Sequence, residues 1–594
     1  MKKHKIFKFQ YLFMLLLTLC SCEAYLERTP VADITEKEIY GSFISFQGFT
    51  EELYNCVTDY NKCGAWNEYL YADETLNKNP YAFDQGNYWA QSRPFYAAAS
   101  TVNTSSSNPK NKRIWPLCWY GIRKANLALS KLDLLVDATQ EEKNLIKGQN
   151  LFFRGWFHFE LMRYWGGLPY LDTLLSAGDN FRLPRLNYRE TALMAAKDLR
   201  AAANLLPVDW DQIDAGQRTL GNNRQRINKI HALCYLGKDL LYAASPMMNE
   251  ESTGNATYDV ELCREAAMAF AEALKICDET GVYQLQSWET WTDNFWVWSP
   301  GNSTLPGGTE VIMEPGIYDR GRVRWSTVTG TSVFCEGYQS SDVPTNNFIK
   351  NYGMANGYAI DDPRSNYDPL DPWTGREPRF YTDIIIDGDQ VVESTAGGED
   401  RFVQLYNGGR HRINKGSVTG YYYKRFSPIG CNGWDNKWAN FQAYVPYLRL
   451  ADVYLMYAEA VLQGYGSAAS TASNYTLTAE QALNIIRNRA QLPNIKSDLT
   501  TTKDVFMEQI IRERAVELAF EAHRFCDLRR WNLNGEMKYR QKTAIDFDRG
   551  TDGKPINLRE RIVITRAVEK KHNWLPFQND FTKIYPEFQQ NPGW

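Results

Sequence analysis

The sequence predicts a mainly α protein: a stack of helical hairpins interrupted by a long loop-rich insertion that contains short strands. Three observations carry that prediction. Between 115 and 280, segments of helix length alternate with loops containing Gly, Pro, Asn or Asp. From about 281 to 443 helical periodicity is lost, and Gly and Pro become frequent. Periodicity then returns, most clearly in Thr501 to Trp531. There Met507, Ile511, Ala515, Leu518, Ala522 and Cys526 recur at steps of three and four, one face of a helix of about eight turns.

Taken in order, the chain opens on an export segment. Lys2, Lys3, Lys5 and Lys8 precede the apolar run Tyr11 to Leu19, too short to span a bilayer, so residues 1–21 read as a lipoprotein signal peptide. Leu19-Cys20-Ser21-Cys22 resembles a bacterial lipobox, which makes Cys22 the expected lipidation site. At about 0.8 kcal/mol per buried CH₂, more than one acyl chain gives an effectively permanent anchor. An N-terminal segment, 22–114, precedes the helical stack, 115–280. The predicted helices are Trp115 to Val136, Glu141 to Trp165, Tyr188 to Leu206, Gln225 to Ala244 and Asp259 to Thr280. Short connections favour αα-hairpins stacked as in tetratricopeptide arrays, although no clean consensus of about 34 residues repeats.

Within the insertion, 281–443, Glu310 to Met313 and Phe380 to Ile386 are strand candidates. A loop-rich excursion of that length is more often functional than idle. In the C-terminal region, 444–594, Thr501 and Asp504 are spaced as a capping box. Along the other stripe of the Thr501 to Trp531 helix, Glu517, Glu521, Arg524, Asp527 and Arg530 lie three or four apart, so opposite charges can meet. A solvated face is the ordinary expectation for such a stripe.

The order of residues there carries more. E-R-A-V-E-L-A-F-E-A-H-R-F-C-D-L-R-R-W, the preceding helices Pro446 to Ala460 and Ala482 to Ala490, and the closing Gln590-Asn591-Pro592-Gly593-Trp594 resemble the SusD/RagB family of outer-membrane nutrient-binding lipoproteins of Bacteroidetes. Phe153 to Pro169, Pro344 to Met354 and Gly375 to Phe380 resemble further motifs of that family. Three departures stand out: Ala522 replaces the usual glycine, Cys526 a frequent aromatic, and Glu377 an aspartate. The resemblance implies a degenerate tetratricopeptide-like (SusD-like) scaffold, completed by the C-terminal helices. It also implies a lipid-anchored protein exposed at the outer-membrane surface, which binds oligosaccharide or polysaccharide without catalysis and delivers it to a SusC-like TonB-dependent transporter. In such a fold the charged stripe is partly covered by neighbouring helices, and Glu521→Ala or Arg524→Ala lowers stability.

Composition is consistent with that picture. Across 594 residues, 66 basic and 70 acidic side chains leave a net charge of −4, and no basic stripe with interleaved aromatics supports a nucleic-acid partner. The 11 cysteines show no metal-like spacing; only Cys56 and Cys63 suggest a pair that could bridge. Phosphate-loop, zincin and Gly-x-Ser-x-Gly motifs are missing. His158 and His523 sit within predicted helices as structural hydrogen-bonding residues. Asp546, Asp548 and Asp552, assigned to a loop, miss the register of a calcium loop, so no metal or other cofactor is expected.

Aromatic residues, by contrast, are abundant: 14% of the chain, with 18 Trp and 36 Tyr. Flat rings cover the C–H faces of pyranoses while carboxylates, amides and guanidinium groups take the hydroxyls. Two regions offer that mixture. One holds Trp66, Asn67, Asp73, Glu74, Tyr88, Trp89 and Arg93; the other holds Trp288, Trp291, Trp296 and Trp298, followed by Trp325. The expected ligand site lies where these regions meet, with Trp66, Asp73, Tyr88, Trp89, Arg93, Trp288, Trp296, Trp298 and Trp325 as its candidate residues. The rival readings are a RagB-like peptide binder with a deeper, more charged groove, and a surface glycoside hydrolase, whose two carboxylates no sequence can single out.

Overall fold

The computed structural model describes residues 35–57, 71–77, 81–89, 114–299, 307–314, 342–412, 416–426, 428–430, 432–435 and 437–594. The signal segment, Cys22, Cys63, Trp66, Arg93 and Trp325 lie outside them. Among the described residues no helix is long and apolar enough to cross a membrane.

The mainly α scaffold has the expected form. After a short helix α1 (Phe43–Thr50) come α2 (Ile114–Ser130), α3 (Gln140–Trp165), α4 (Tyr188–Leu205), α5 (Lys229–Ala244) and α6 (Val260–Thr280). Each packs on the next, and α6 passes the stack to α7 (Leu450–Tyr465), which packs on α8 (Ala479–Arg489). Local chemistry sets many of the starts: capping boxes Thr139/Glu142, Asn187/Glu190 and Thr478/Gln481 satisfy N–H groups that have no intrahelical partner. The helix predicted from Gln225 begins only at Lys229, where the Asn228 side chain caps it. Helix α3 is buried on every side from Gly148 to Trp165, so the polar side chains within it, Arg154 and Glu160 among them, must find partners inside the protein. Arg154 grips Asp198 of α4 through two hydrogen bonds of 2.5 and 2.7 Å, a bidentate geometry that fixes the pair of helices. Beyond α3 the chain turns through Gly166 at φ +83°, and a Cβ on Gly167 would lie 2.1 Å from the Leu186 carbonyl oxygen.

The insertion is tied in by two-stranded antiparallel pairings. Strand β1 (Thr75–Asn77) of the N-terminal segment pairs with β4 (Asp342–Pro344), and β2 (Trp296–Trp298) pairs with β7 (Phe441–Ala443). Strand β3 (Val311–Met313) pairs with β8 (Leu448–Arg449), and β5 (Ile384–Ile385) with β6 (Tyr422–Tyr423). The strand predicted for Phe380 to Ile386 is therefore corrected: Pro378–Asp383 is a helix started by Pro378, and only Ile384–Ile385 is extended. Near the C-terminus β9 (Gln541–Arg549) and β10 (Pro555–Thr565) form a hairpin. Asp546 and Asp548 thus stand on a strand and not in a loop. Asp546 pairs with Arg412 and Arg561, and Asp548 accepts from Asn407 and Asn557.

The largest departure concerns Thr501 to Trp531, which is two helices, α9 (Lys503–Glu517) and α10 (Arg524–Arg530). Thr502, not Thr501, is the N-cap, accepting from the Val505 N–H. His523 lies in the turn between the helices. Helix α9 ends because its last carbonyls are taken from outside. Arg425 donates to the carbonyl oxygens of Val516, Glu517 and Ala519 at 3.0, 3.1 and 2.8 Å, and Arg449 to that of Glu517 at 2.6 Å. Cations at a helix C-terminus also meet the negative end of its dipole. Phe520 and Ala522 then adopt φ of +63° and +68°, left-handed conformations that disfavour a side chain. The glycine usual in similar chains at position 522 is thereby explained. Ala522→Gly should raise stability by about 1 kcal/mol, the left-handed penalty less the added freedom of the unfolded chain. Urea unfolding checks it, and a destabilised variant would contradict the strain.

Candidate functional site

The charged stripe of α9 and α10 is buried, not solvated. Glu517, Glu521, Arg524, Asp527 and Arg530 are all at most 4% exposed. Glu517 accepts from Arg379 and Arg449 at 3.0 and 2.6 Å and also from Arg489. Glu521 binds Arg425 at 2.5 Å and Arg449 at 2.8 Å. Glu310 of the insertion closes the cluster on Arg449 and Arg489 at 2.7 and 3.0 Å. Residues from the insertion, α8, α9 and the turn after α9 therefore meet in one ionic core, with guanidinium forks supplying the bidentate geometry that buried pairs require.

The tryptophans of the insertion stand on that core. Trp291, 1% exposed, lies under the guanidinium of Arg425 at 4.8 Å from the ring centre, and Arg489 is 5.7 Å away. Trp288 is partly exposed and stacks on Trp291 at 5.4 Å. Trp296 is half-buried, and its indole N–H donates to the Arg425 carbonyl oxygen at 3.0 Å. Trp298, two residues along β2 and so on the same face, is 38% exposed, with its ring 6.0 Å from Trp296 and 5.6 Å from Phe441 across the strand pair. Two aromatic pairs result: Trp288 stands partly exposed on the buried Trp291, and Trp298 stands exposed beside the half-buried Trp296. Sequence reasoning missed Phe441, Arg425 and Arg489; pairing across β2 and β7 and the ionic core beneath, not any local motif, bring them in.

The N-terminal candidates divide. Asp73 is buried in a two-pronged ion pair with Arg524 at 2.9 and 3.1 Å, and Glu74 beside it accepts from the Phe520 N–H at 3.2 Å. Burial, and then the charge of Asp73, raise the Glu74 carboxyl to about 8. Tyr88 is buried against Phe83 at 4.0 Å, and burial lifts its hydroxyl to about 12. Asp73 and Tyr88 are thus interior residues. Trp89 is 45% exposed and meets the terminal Trp594 edge-on at 6.1 Å. The N-terminal segment does meet the insertion, at β1 and β4, where Thr345 donates to the Asp73 carbonyl oxygen at 2.5 Å. Among the described residues no ring contact joins Trp89 to the tryptophans of the insertion, whose rings form two sets, Trp288 and Trp291 with Phe295, and Trp296 and Trp298 with Phe441.

The histidines of the helical region are structural. His158 Nε2 accepts the Leu171 N–H at 3.1 Å while Nδ1 faces the Arg154 carbonyl oxygen at 2.8 Å, and burial lowers its pKa to about 3. Burial holds His523 equally low despite Asp452 at 3.7 Å. Among the described residues no group of His, Cys, Asp and Glu side chains could hold a metal ion.

Comparison with known proteins agrees with this architecture. The model of the SusD family matches residues 309–594, and a related model described as starch-binding, associating with the outer membrane, matches residues 24–219. A SusD-like protein of Bacteroides ovatus is 24% identical over 546 residues, covering 87% of this chain and 80% of the relative. Among solved structures, a SusD-like protein of Bacteroides fragilis superposes with a TM-score of 0.66 at 20% identity, covering 94% of this chain and 98% of the other. A SusD homologue of Bacteroides thetaiotaomicron gives 0.59 at 18% identity, covering 94% and 98%. At those identities the solved structures speak for the fold alone. With family-specific matches in both halves and one shared scaffold from the first helices to the tail, the chain belongs to the SusD family.

Proposed function

We propose that this protein is a lipid-anchored, surface-exposed glycan-binding protein that captures oligosaccharide or polysaccharide at the outer membrane and passes it to a SusC-like TonB-dependent transporter, without catalysis. The observation that carries the binding reading is the tryptophan pair of β2, whose outer ring, Trp298, stays exposed while its neighbour Trp296 is hydrogen-bonded to the carbonyl oxygen of Arg425 in the ionic core. Exposed aromatics held this firmly lose little freedom when a sugar ring covers them. The family description as starch-binding and outer-membrane-associated points the same way. Retardation of the purified protein in gels containing one polysaccharide of a panel is the expected result. No retardation with any glycan, or new reducing ends after incubation, would reject the proposal. Anchoring has its own test: Cys22→Ala should move the protein from the membrane to the soluble fraction without changing its melting temperature, and persistence in salt-washed membranes would exclude the lipid anchor.

A further inference from the structure

A concave surface is lined by none of these tryptophans. The insertion, α9 and the β9/β10 hairpin enclose a groove of about 1360 Å³. Among the described residues, two donors in its lining have no hydrogen-bond partner. Arg512, on α9, gives Nη2 to Gln509 Oε1 at 2.9 Å, but its Nη1 is buried without a hydrogen-bond partner. Burial lowers the pKa of this guanidinium and the neighbouring Arg487 adds to the effect, against the weaker pull of Glu377, Glu513 and Asp361. Asn347 accepts the Thr543 N–H at 2.9 Å through Oδ1, which fixes the amide and leaves Nδ2 buried with no acceptor. Glu560, also in the lining, is already engaged by Lys350, Asn346 and Thr543.

Buried donors almost always find an acceptor, and a guanidinium without a carboxylate is the costlier exception. The planar fork of arginine suits a carboxylate or sulfate. Tyr367 and Tyr539 line the same groove with aromatic surface, and Asp361 and Glu508 supply acceptors for hydroxyls. We propose that this groove is a second ligand subsite, which takes a saccharide carrying a carboxylate or sulfate group and receives that anion on Arg512 and Asn347.

That the anion is borne by a sugar rests on the glycan-binding reading above. The test is calorimetric titration of the whole mature protein with a galacturonic acid trimer, a sulfated galactose trimer and a neutral galactose trimer at low salt. At least one charged trimer should bind about tenfold or more tightly than the neutral one, and whichever does so identifies the anion. Arg512→Met should remove the preference. So should Asn347→Asp, which keeps the acceptor for Thr543 and replaces the spare donor by a negative oxygen. If one variant fails to fold, as judged by its melting curve, the other decides. Equal binding of all three trimers, binding of none, or a preference that survives in the folded variants would overturn the subsite. Retardation by a neutral polysaccharide with no acidic preference would sink this proposal and leave the glycan-binding reading standing.

Discussion

Glu517→Ala should lower the folding stability by at least about 3–5 kcal/mol, the cost of leaving buried charge without its partner. Glu517 is completely buried and holds Arg379, Arg449 and Arg489, which come from the insertion, the start of α7 and α8. Its removal leaves the buried cluster one negative charge short: Arg489 keeps Glu310, Arg449 keeps Glu310 and Glu521, and Arg379 keeps Glu377 and Glu513. The pH dependence has a definite sign. Burial by itself raises the carboxyl, but Arg489, Arg449 and Arg379 outweigh it and hold Glu517 well below the usual carboxylate range. A depressed folded pKa stabilises the protein above the unfolded value of about 4.3, and that contribution is lost as pH falls through the folded value. Urea curves should therefore show a gap between wild type and variant that is less than about 1 kcal/mol narrower at pH 4 than at pH 7, and that closes only as pH falls on toward the folded value. A difference below about 1 kcal/mol at pH 7 would mean that the pairs behave as exposed ones.

How much of this was legible in the sequence follows from where each cause lies. The scaffold helices were readable because their causes are local: apolar spacing, capping pairs such as Asn187 and Glu190, and loops of Gly, Pro and Asn. The break after Glu517 was not, because apolar spacing runs on through Leu518, Ala522 and Cys526 while the groups that end the helix, Arg425 and Arg449, arrive from distant parts of the chain. Ala522 was visible as a departure from the family pattern, but its meaning needed the φ of +68°. Likewise Glu517, Glu521 and Arg524 could be seen to face one another along a helix, whereas their true partners, Arg379, Arg425 and Asp73, come from elsewhere in the chain. In the sequence the hairpin resembles a loop, because its turn residues, Gly550 to Gly553, are visible there and its register is not. At the candidate site the cluster of tryptophans was legible as composition. Which ring faces solvent was not, since Trp288 and Trp291 differ in burial only through what packs beneath them.

That difference sets up the other large effect. Trp298→Ala should weaken glycan binding roughly thirtyfold, the usual loss of about 2 kcal/mol for an anchoring aromatic, while shifting stability less, because the residue is 38% exposed and its ring lies beside those of Trp296 and Phe441. Trp291→Ala should do the reverse. It empties a buried site beneath Arg425 and Arg489, so a cavity term of about 3–5 kcal/mol is expected, together with the loss of two cation–π contacts. Trp296 falls between, since its N–H bond to the Arg425 carbonyl oxygen gives it a structural share that Trp298 lacks. Trp89 belongs to the same test from the other side: its exposed ring rests on Trp594, and if the N-terminal segment contributes to the ligand face, Trp89→Ala should weaken binding at unchanged melting temperature. Melting temperature and glycan affinity measured on the four variants separate support from contact. An unaltered affinity in Trp298→Ala with the fold intact would remove β2 from the ligand face, because no other ring of that strand pair is as free to meet a sugar.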